Sequence, residues 1–178
     1  MYPYIRAALM LFRASRKPKL PELTSTVSSE HRAWPWDTDI FGELNHGRIL
    51  TLFELNRWEL AQRLGLIRHI RKRKRGLTVA GVSIRYRRRV PIFSRYRVET
   101  RPLGWDDKFM YVEQQMWIGD LACNQMLIRL AVIGRDGAIE PRSIASDLGY
   151  DPTSPALPDW VQNWISAEGT RPWPPEPI

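Results

Sequence analysis

Five polar side chains that could take part in chemistry lie in one short stretch, from Asp37 to His46. The carboxylates of Asp37 and Asp39 come first, Glu43 follows, and Asn45 and His46 stand where an amphipathic helix begins. The start of a helix offers unpaired backbone N–H groups and the positive end of the helix dipole. A carboxylate held there can attack or activate water, while the free amides hold an anionic group or a developing oxyanion. The spacing therefore indicates nucleophilic or general-base chemistry at a helix N-terminus.

The same residues also have a purely structural interpretation. An Asp before a helix usually caps it or braces the loop, and from the residues alone this interpretation of Asp39 ranks first. Asp37 is interpreted as bonding the loop backbone. Glu43 and His46 form either an acid–base pair or an exposed, solvated pair. Both interpretations stay open at this point.

A long central helix is predicted to position these side chains. Asn45 is its N-cap, and Gly65 is a plausible residue just beyond its C-terminus. Apolar residues recur at helical spacing, and further leucines widen the apolar face. These residues are Ile49, Leu50, Leu52, Phe53, Leu55, Leu60, Ala61 and Leu64. A helix of this kind is expected to be covered on most sides, for example by a sheet wrapped around it.

Strand patterns lie on both sides of the predicted helix. Residues 23–33 read as one strand, and Pro35 ends it. Beyond residue 76 the apolar period changes to two, which predicts strands over 77–90, 95–103, 109–118 and 121–134. Their short connections favour an antiparallel meander. Short helices are predicted over 141–149 and, capped at Asp159, over 158–167, so the fold class is α+β.

Size and composition bound the function. A chain of 178 residues with 43% apolar residues is expected to form one domain with a sizeable core. It has no apolar run long enough to span a membrane. The single cysteine, Cys123, excludes an internal disulfide, is interpreted as inert packing, and fits a reducing cytoplasm. The three histidines have no metal-binding spacing, and we predict neither a metal nor a cofactor.

The net charge of +8 favours a polyanionic partner. Nucleic acid, anionic lipid headgroups and phosphate-bearing molecules such as coenzyme A all fit this charge. Residues 67–76 carry a dense basic run, read as a solvated turn or a phosphate-binding patch. No aromatic residue interrupts that run, so nucleic-acid binding through residues 68–75 ranks last and we predict no nucleic-acid partner.

Two tails flank the predicted domain. Residues 1–22 form a basic amphipathic segment, in which residues 4–17 either pack on the protein or lie in a membrane interface. We rank packing ahead of membrane contact. Residues 150–178 form an arm rich in Pro and Trp. The predicted division is therefore 1–22, 23–149 and 150–178.

At residues 23–145 the order of elements, with an acid-rich loop before the helix, resembles the hotdog fold. Within it, DTDIFGELNHGRILTLFE is similar to the signature of hydroxybenzoyl-CoA-type acyl-CoA thioesterases. The matching residues are Asp37, Asp39, Gly42, Leu44 and Asn45. The strand segments LTVAGVSIRYRRRV and GWDDKFMYVEQQMW resemble an uncharacterised thioesterase-like branch. Many members have His where this chain has Glu43, and a second Asn where it has His46.

The resemblance implies hydrolysis of acyl-CoA thioesters by a homodimer or tetramer in the cytoplasm, with sheets pairing edge to edge. Asp39 would be the nucleophile or general base, and the amide of His46 would polarise the thioester carbonyl. Asn45 would orient water or hold the loop, and Glu43 completes the candidate set. The substrate-binding candidates are Phe41, Gly42, Phe53, Trp58, Arg87, Arg88 and Arg89, with Met116 as a further candidate for the acyl pocket.

Strand alternation places Arg87 and Arg89 on one face and Arg88 on the other, so the three are not expected to serve one phosphate. The departures at Glu43 and His46 are compatible with a shifted mechanism. They are also compatible with a protein of the same fold that binds acyl-CoA or lipid without hydrolysing it, at a membrane contacted through residues 4–17. This non-catalytic protein is the second-ranked function.

Overall fold

The computed structural model describes residues 2–175 and 177. The predicted tails extend to Met1, Glu176 and Ile178, which lie outside the described residues. Helices and strands follow one another as α1 (Tyr4–Ser15), β1 (Val27–Arg32), a 3-10 turn (Pro35–Asp37), α2 (His46–Arg63), α3 (Leu66–Lys72), β2 (Gly76–Tyr86), β3 (Arg95–Trp105), β4 (Met110–Ile118), β5 (Leu121–Gly134), β6 (Gly137–Ile139), α4 (Pro141–Leu148) and α5 (Asp159–Gly169).

An antiparallel sheet with the order β1-β3-β4-β5-β2 surrounds the central helix α2, and short β6 pairs with β5. Leu52, Phe53 and Leu55 of α2 are fully buried against the sheet. Val98, Met116 and Met126 belong to the same apolar core. The predicted α+β class and the sheet wrapped around a long helix are therefore confirmed.

Strand β2 forms an edge of the sheet, since it pairs with β5 alone among the strands of the described residues. The prediction that this strand continues to Val90 is wrong, because it ends at Tyr86. The amides of Arg87 and Arg88 both donate to the carbonyl of Cys123, at 2.9 and 3.1 Å. In a regular antiparallel pair, two successive amides do not donate to the same carbonyl. This shared acceptor therefore ends the regular pairing of β2 with β5.

The basic run after α2 is helical at its start, so its interpretation as a solvated turn is wrong. Gly65 adopts the left-handed conformation (φ 81°) that ends α2, and α3 begins at Leu66. Leu66 and Ile70 are buried in a small apolar cluster with Ile144 of α4. Packing of these two side chains outweighs the repulsion within a short, strongly basic segment.

Helices α1 and α5 pack on opposite sides of the body. Helix α1 lies on α2. Val161 of α5 is fully buried with Tyr111 and Leu127, which project from the other face of the sheet. The predicted helix over 158–167 is thus present, although Pro158 rather than Asp159 occupies the cap position.

Candidate active site

The loop before α2 and the segment after β2 enclose an open cleft of about 690 Å³, part of which is solvent. Three of the four predicted catalytic residues and all three predicted arginines line it. Its lining consists of Asp39, Glu43, Leu44, His46, Ile49, Tyr86, Arg87, Arg88, Arg89, Val90 and Asn124. The cleft therefore joins carboxylates, a helix start and a basic rim.

Backbone hydrogen bonds hold the loop that carries Asp39. The amide of Asp39 donates to the carbonyl of Glu43 at 2.9 Å, and the amide of Gly42 donates to the carbonyl of Asp39 at 3.1 Å. Gly42 has a φ of 72°, a backbone conformation that residues with a Cβ atom rarely adopt. The loop is tied to the opposite side of the cleft, where the Leu44 amide donates to the Val90 carbonyl at 2.9 Å.

The carboxylate of Asp39 is half-buried and only partly used by the protein. Its Oδ1 accepts the amide of Phe41 at 2.9 Å. Its Oδ2 has no hydrogen-bond partner within the residues that the structure describes. One oxygen thus fixes the orientation of the carboxylate, and the other stays available to water or substrate in the cleft.

The start of α2 leaves one amide free. The side chain of Asn45 accepts from the amides of Gly47 and Arg48 at 2.9 and 3.2 Å. The carbonyl of Asn45 accepts the amide of Ile49 at 2.9 Å. The amide of His46 has no acceptor in the described part of the chain. The role of Asn45 in the structure is capping, and the free amide of His46 stands at the positive end of the helix dipole.

Asp37 lies beneath the loop, with only 1% of its surface exposed. Its carboxylate lies 2.7 Å from Nη2 of Arg6 in α1 and 2.7 Å from Nε of Arg48 in α2. Its carbonyl accepts the amide of Asn45 at 3.0 Å. Sequence reasoning missed both arginines as partners of Asp37. The available signal for one of them was the position of Arg6 inside an otherwise apolar stretch.

Glu43 and His46 each contact a residue of the opposite segment. The Glu43 carboxylate lies 2.9 Å from Nε of Arg89, whose side chain is 77% exposed. The ring of His46 meets Tyr86 edge-on with 6.5 Å between centroids. The hydroxyl of Tyr86 donates to the carbonyl of His46 at 3.4 Å, and burial raises the pKa of Tyr86. An acid–base pair of Glu43 with His46 remains a prediction.

The three arginines after β2 share the cleft rim, contrary to the face alternation expected for a strand. Because β2 ends at Tyr86, the segment from Arg87 to Arg89 is irregular and its exposed side chains all border the cleft. The prediction that Arg88 faces away from Arg87 and Arg89 is therefore wrong.

The predicted apolar substrate contacts lie elsewhere. Phe41 is 74% exposed, Phe53 and Met116 are fully buried in the core, and Trp58 borders a separate cavity between α2 and β2. Sequence reasoning missed Asn124, for which the available signal was a polar residue inside the apolar strand β5. It is buried and lines the cleft.

The side chains of the described residues form no group that could hold a metal ion. Across residues 2–175 and 177, no three His, Cys, Asp or Glu side chains come together as metal ligands do. Burial raises the pKa of the Cys123 thiol, which keeps it in its unreactive protonated form.

Comparison with known proteins gives consistent results. Residues 33–165 match the model of the thioesterase-like superfamily. The chain is 29% identical to Protein THEM6 from Xenopus laevis over 164 residues, which covers 91% of this chain and 78% of that protein. Two solved structures with lower sequence identity share the fold.

A probable thioesterase from Bartonella henselae has a TM-score of 0.59 and 22% identity, covering 65% of this chain and 98% of that one. A DHNA-CoA thioesterase from Staphylococcus aureus has a TM-score of 0.61 and 16% identity, covering 81% of this chain and 91% of that one. Likeness at these identities shows a shared fold, and the predicted hotdog fold is confirmed.

Proposed function

The chain belongs to the thioesterase-like superfamily, and we propose that it hydrolyses acyl-CoA thioesters to a free acid and CoA, with Asp39 as the catalytic carboxylate. The observation that carries this proposal is that two groups without a hydrogen-bond partner in the described residues belong to residues that line the same cleft. These are the free amide of His46 and the unpartnered oxygen of Asp39, which are an oxyanion donor and a base or nucleophile.

In the general-base route, Asp39 takes a proton from water while the water oxygen bonds to the thioester carbon. The carbonyl oxygen becomes an oxyanion, which the His46 amide and the dipole of α2 stabilise. Collapse restores the carbonyl and breaks the carbon–sulfur bond. The leaving thiolate recovers the proton from Asp39, so the products are the carboxylic acid and CoA. In the nucleophilic route, the Asp39 carboxylate attacks the thioester carbon and the carbon–sulfur bond breaks, which gives a mixed anhydride and the CoA thiolate. Water then hydrolyses the anhydride to the free acid and the Asp39 carboxylate, and the proton that water releases goes to the thiolate.

CoA as the carrier is supported by the cleft rim and by the relatives. Arg87, Arg88 and Arg89 are exposed on this rim, where the guanidinium groups of Arg87 and Arg88 can pair with the phosphates of the nucleotide end and that of Arg89 also pairs with Glu43. DHNA-CoA thioesterase from Staphylococcus aureus, which shares the fold, is named for a CoA thioester. Nucleic-acid binding by the basic run is less favoured, because Arg73 and Arg75 face Asp147 at 3.3 and 3.9 Å.

The decisive experiment measures thiol release from acyl-CoAs of graded chain length and from aryl-CoAs. We expect turnover of at least one class, and a loss of about 100-fold or more in kcat for Asp39→Asn. Asp120→Asn, on the exposed turn between β4 and β5, is the matched control. Binding of acyl-CoA without turnover by the native chain would instead support the non-catalytic function.

A homodimer formed through β2 is supported by the exposed edge of the sheet. Val79, Val82 and Tyr86 are 53%, 44% and 44% exposed along this strand. The backbone on its outer side has no strand partner within the described residues. Such an edge is normally covered, and pairing with a second copy would cover it.

Peripheral membrane contact is supported by the outer face of α1. Ile5, Leu9 and Phe12 are 79%, 51% and 54% exposed, and Arg13 and Arg16 stand beside them. An apolar stripe next to exposed cations fits the interface of an anionic bilayer. No helix in the described ranges is both long and apolar enough to cross a bilayer.

A further inference from the structure

Large apolar side chains are exposed to water on the two loops that border the cleft. Trp36 and Ile40 of the loop before α2 are 67% and 93% exposed, and Phe93 of the loop between β2 and β3 is 53% exposed. We call these three residues and Phe41, which is also exposed, the loop patch. Single exposed apolar residues are common, whereas a group of them on adjoining loops indicates an interaction surface.

Backbone hydrogen bonds join the two loops, so the loop patch is one surface. The amide of Ile92 donates to the carbonyl of Gly42 at 2.8 Å, and the amide of Phe93 donates to the carbonyl of Ala33 at 2.8 Å. Phe93 has a φ of 66°, a backbone conformation that a bulky residue rarely adopts. An aromatic residue held in this conformation at an exposed position indicates a function for the loop.

Four exposed arginines flank the loop patch. Arg32 and Arg95 lie opposite each other where β1 ends and β3 begins, and Arg95 comes shortly after Phe93. Arg87 and Arg88 stand on the cleft rim. Within the described residues, none of these four guanidinium groups forms an ion pair with a carboxylate. An apolar patch beside unpaired cations is complementary to a bilayer of anionic phospholipid.

Helix α1 adjoins the loop patch. Arg6 of α1 is bonded at 2.7 Å to Asp37, the residue that follows Trp36. The exposed outer face of α1 is likewise apolar with cations beside it. Two adjoining surfaces of this composition, one on a helix and one on loops, favour an extended lipid surface as the common partner.

We propose that the loop patch inserts into the interface of an anionic phospholipid bilayer and holds the cleft of Asp39 at the lipid surface. Aromatic rings bury apolar area at headgroup depth, and the flanking arginines pair with lipid phosphates. This contact goes beyond the one through α1, because Ile40 follows Asp39 and the catalytic loop itself reaches the bilayer. It does not depend on thioester hydrolysis, whose own failure is an absence of thiol release.

A fluorescent label tests the insertion directly. Cys123 is the one cysteine of the chain and is buried, so an NBD label attaches selectively to the new thiol in Ile40→Cys. With vesicles of phosphatidylcholine containing about 30% phosphatidylglycerol, we expect a blue shift of its emission and protection from a water-soluble quencher. The same label in Trp173→Cys, at an exposed residue after α5, is the control and should show neither change. Vesicle-bound protein whose Ile40 label stays in water would overturn the proposal.

Flotation with the same vesicles measures the contribution of the side chains. Trp36→Ser/Ile40→Ser/Phe93→Asn should lower the partition coefficient about 10-fold or more, since three large apolar side chains leave the interface. Asn is chosen at residue 93 because it tolerates a positive φ. Trp160→Ser/Trp173→Ser removes exposed apolar surface on and after α5, on the other side of the body, and should leave partitioning unchanged.

Arg32→Gln/Arg95→Gln should weaken binding to anionic vesicles and leave binding to pure phosphatidylcholine unchanged. Equal partitioning of the native chain and the folded triple variant would overturn the proposal, as would a native chain that binds neither kind of vesicle. A dimer that is lost in the triple variant, without vesicle binding by the native chain, would instead assign the loop patch to a second copy of this chain.

Discussion

The guanidinium of Arg6 lies 2.7 Å from Oδ2 of Asp37, and Arg48 occupies the other oxygen at the same distance. Helix α1 precedes the region that matches the thioesterase-like superfamily, yet through Arg6 it is bonded to the turn that leads into Asp39. Asp37 is therefore the point where α1, the candidate catalytic loop and α2 meet.

Loss of the Asp37 charge should destabilise the fold strongly. Asp37→Asn removes the charge that pairs with two partly buried guanidinium groups, and we expect a loss of roughly 3 kcal/mol in the free energy of unfolding. Arg6→Gln should cost less, because Arg48 still pairs with Asp37. Urea denaturation measures both losses. Arg13→Gln, on the exposed side of the same helix, should change stability little, and an equal loss there would contradict the assignment.

Removal of the basic rim should weaken CoA recognition without slowing the chemistry. In the variant Arg87→Gln/Arg88→Gln/Arg89→Gln we expect KM for acyl-CoA to rise about 10-fold at low salt, with kcat little changed. A thioester that lacks the nucleotide phosphates should be unaffected. The charge-matched control is Arg68→Gln/Arg71→Gln/Lys72→Gln on α3, and a similar rise in KM there would indicate nonspecific attraction.

Stability should fall as the pH is lowered below 7, because of His31. Its Nε2 lies 3.0 Å from Oγ of Ser29 and 3.2 Å from Nδ2 of Asn56. Burial is the main cause that lowers the pKa of His31, with Arg6 adding to it, while the Asn56 bond and Glu59 act in the opposite direction. The unfolded chain therefore binds a proton before the folded protein does, below pH about 6.5.

Urea denaturation at pH 7.5, 6.5 and 5.5 measures this dependence. His31→Gln should reduce the slope of stability with pH, by at most about 1.4 kcal/mol per pH unit. The pKa of His69 is also lowered, chiefly by burial, so His69→Gln should remove a separate part of the slope. An unchanged slope in the double variant would refute the account.

Disruption of the β2 edge should abolish the proposed dimer. A charge in an apolar contact between paired edges is unfavourable, so Val82→Lys should yield monomers in light scattering after size-exclusion chromatography. Leu121→Lys, at an exposed apolar position at the start of β5, is the control. Native chain that is monomeric at micromolar concentration would remove the dimer from the proposal.

The outer face of α1 should govern membrane contact. Flotation with vesicles of neutral and anionic phospholipid should recover the native chain in the lipid fraction, and more of it as the anionic fraction rises. Ile5→Ser/Leu9→Ser/Phe12→Ser should reduce recovery, while Arg6 and its bond to Asp37 stay intact. Equal recovery of the variant would exclude this face as the contact.

The sequence by itself determined the local structure and the place of the candidate chemistry. Asn45 caps α2 because its side chain reaches the amides of the first turn, and this requires only neighbouring residues. The alternation in β3, β4 and β5 and the periodicity of α2 are likewise local properties that burial on one face imposes. These patterns were sufficient to predict a helix wrapped by an antiparallel sheet.

Only the tertiary structure decided which distant groups meet. The pairing of Arg6 with Asp37, the end of β2 on the carbonyl of Cys123 and a hydrogen bond from Arg57 to Gln114 all join residues far apart in the chain. No local pattern encodes such contacts, because they depend on how packed elements are placed against one another. For the same reason the helix α3 was missed, since burial of Leu66 and Ile70 against α4 stabilises a segment whose charges alone disfavour it.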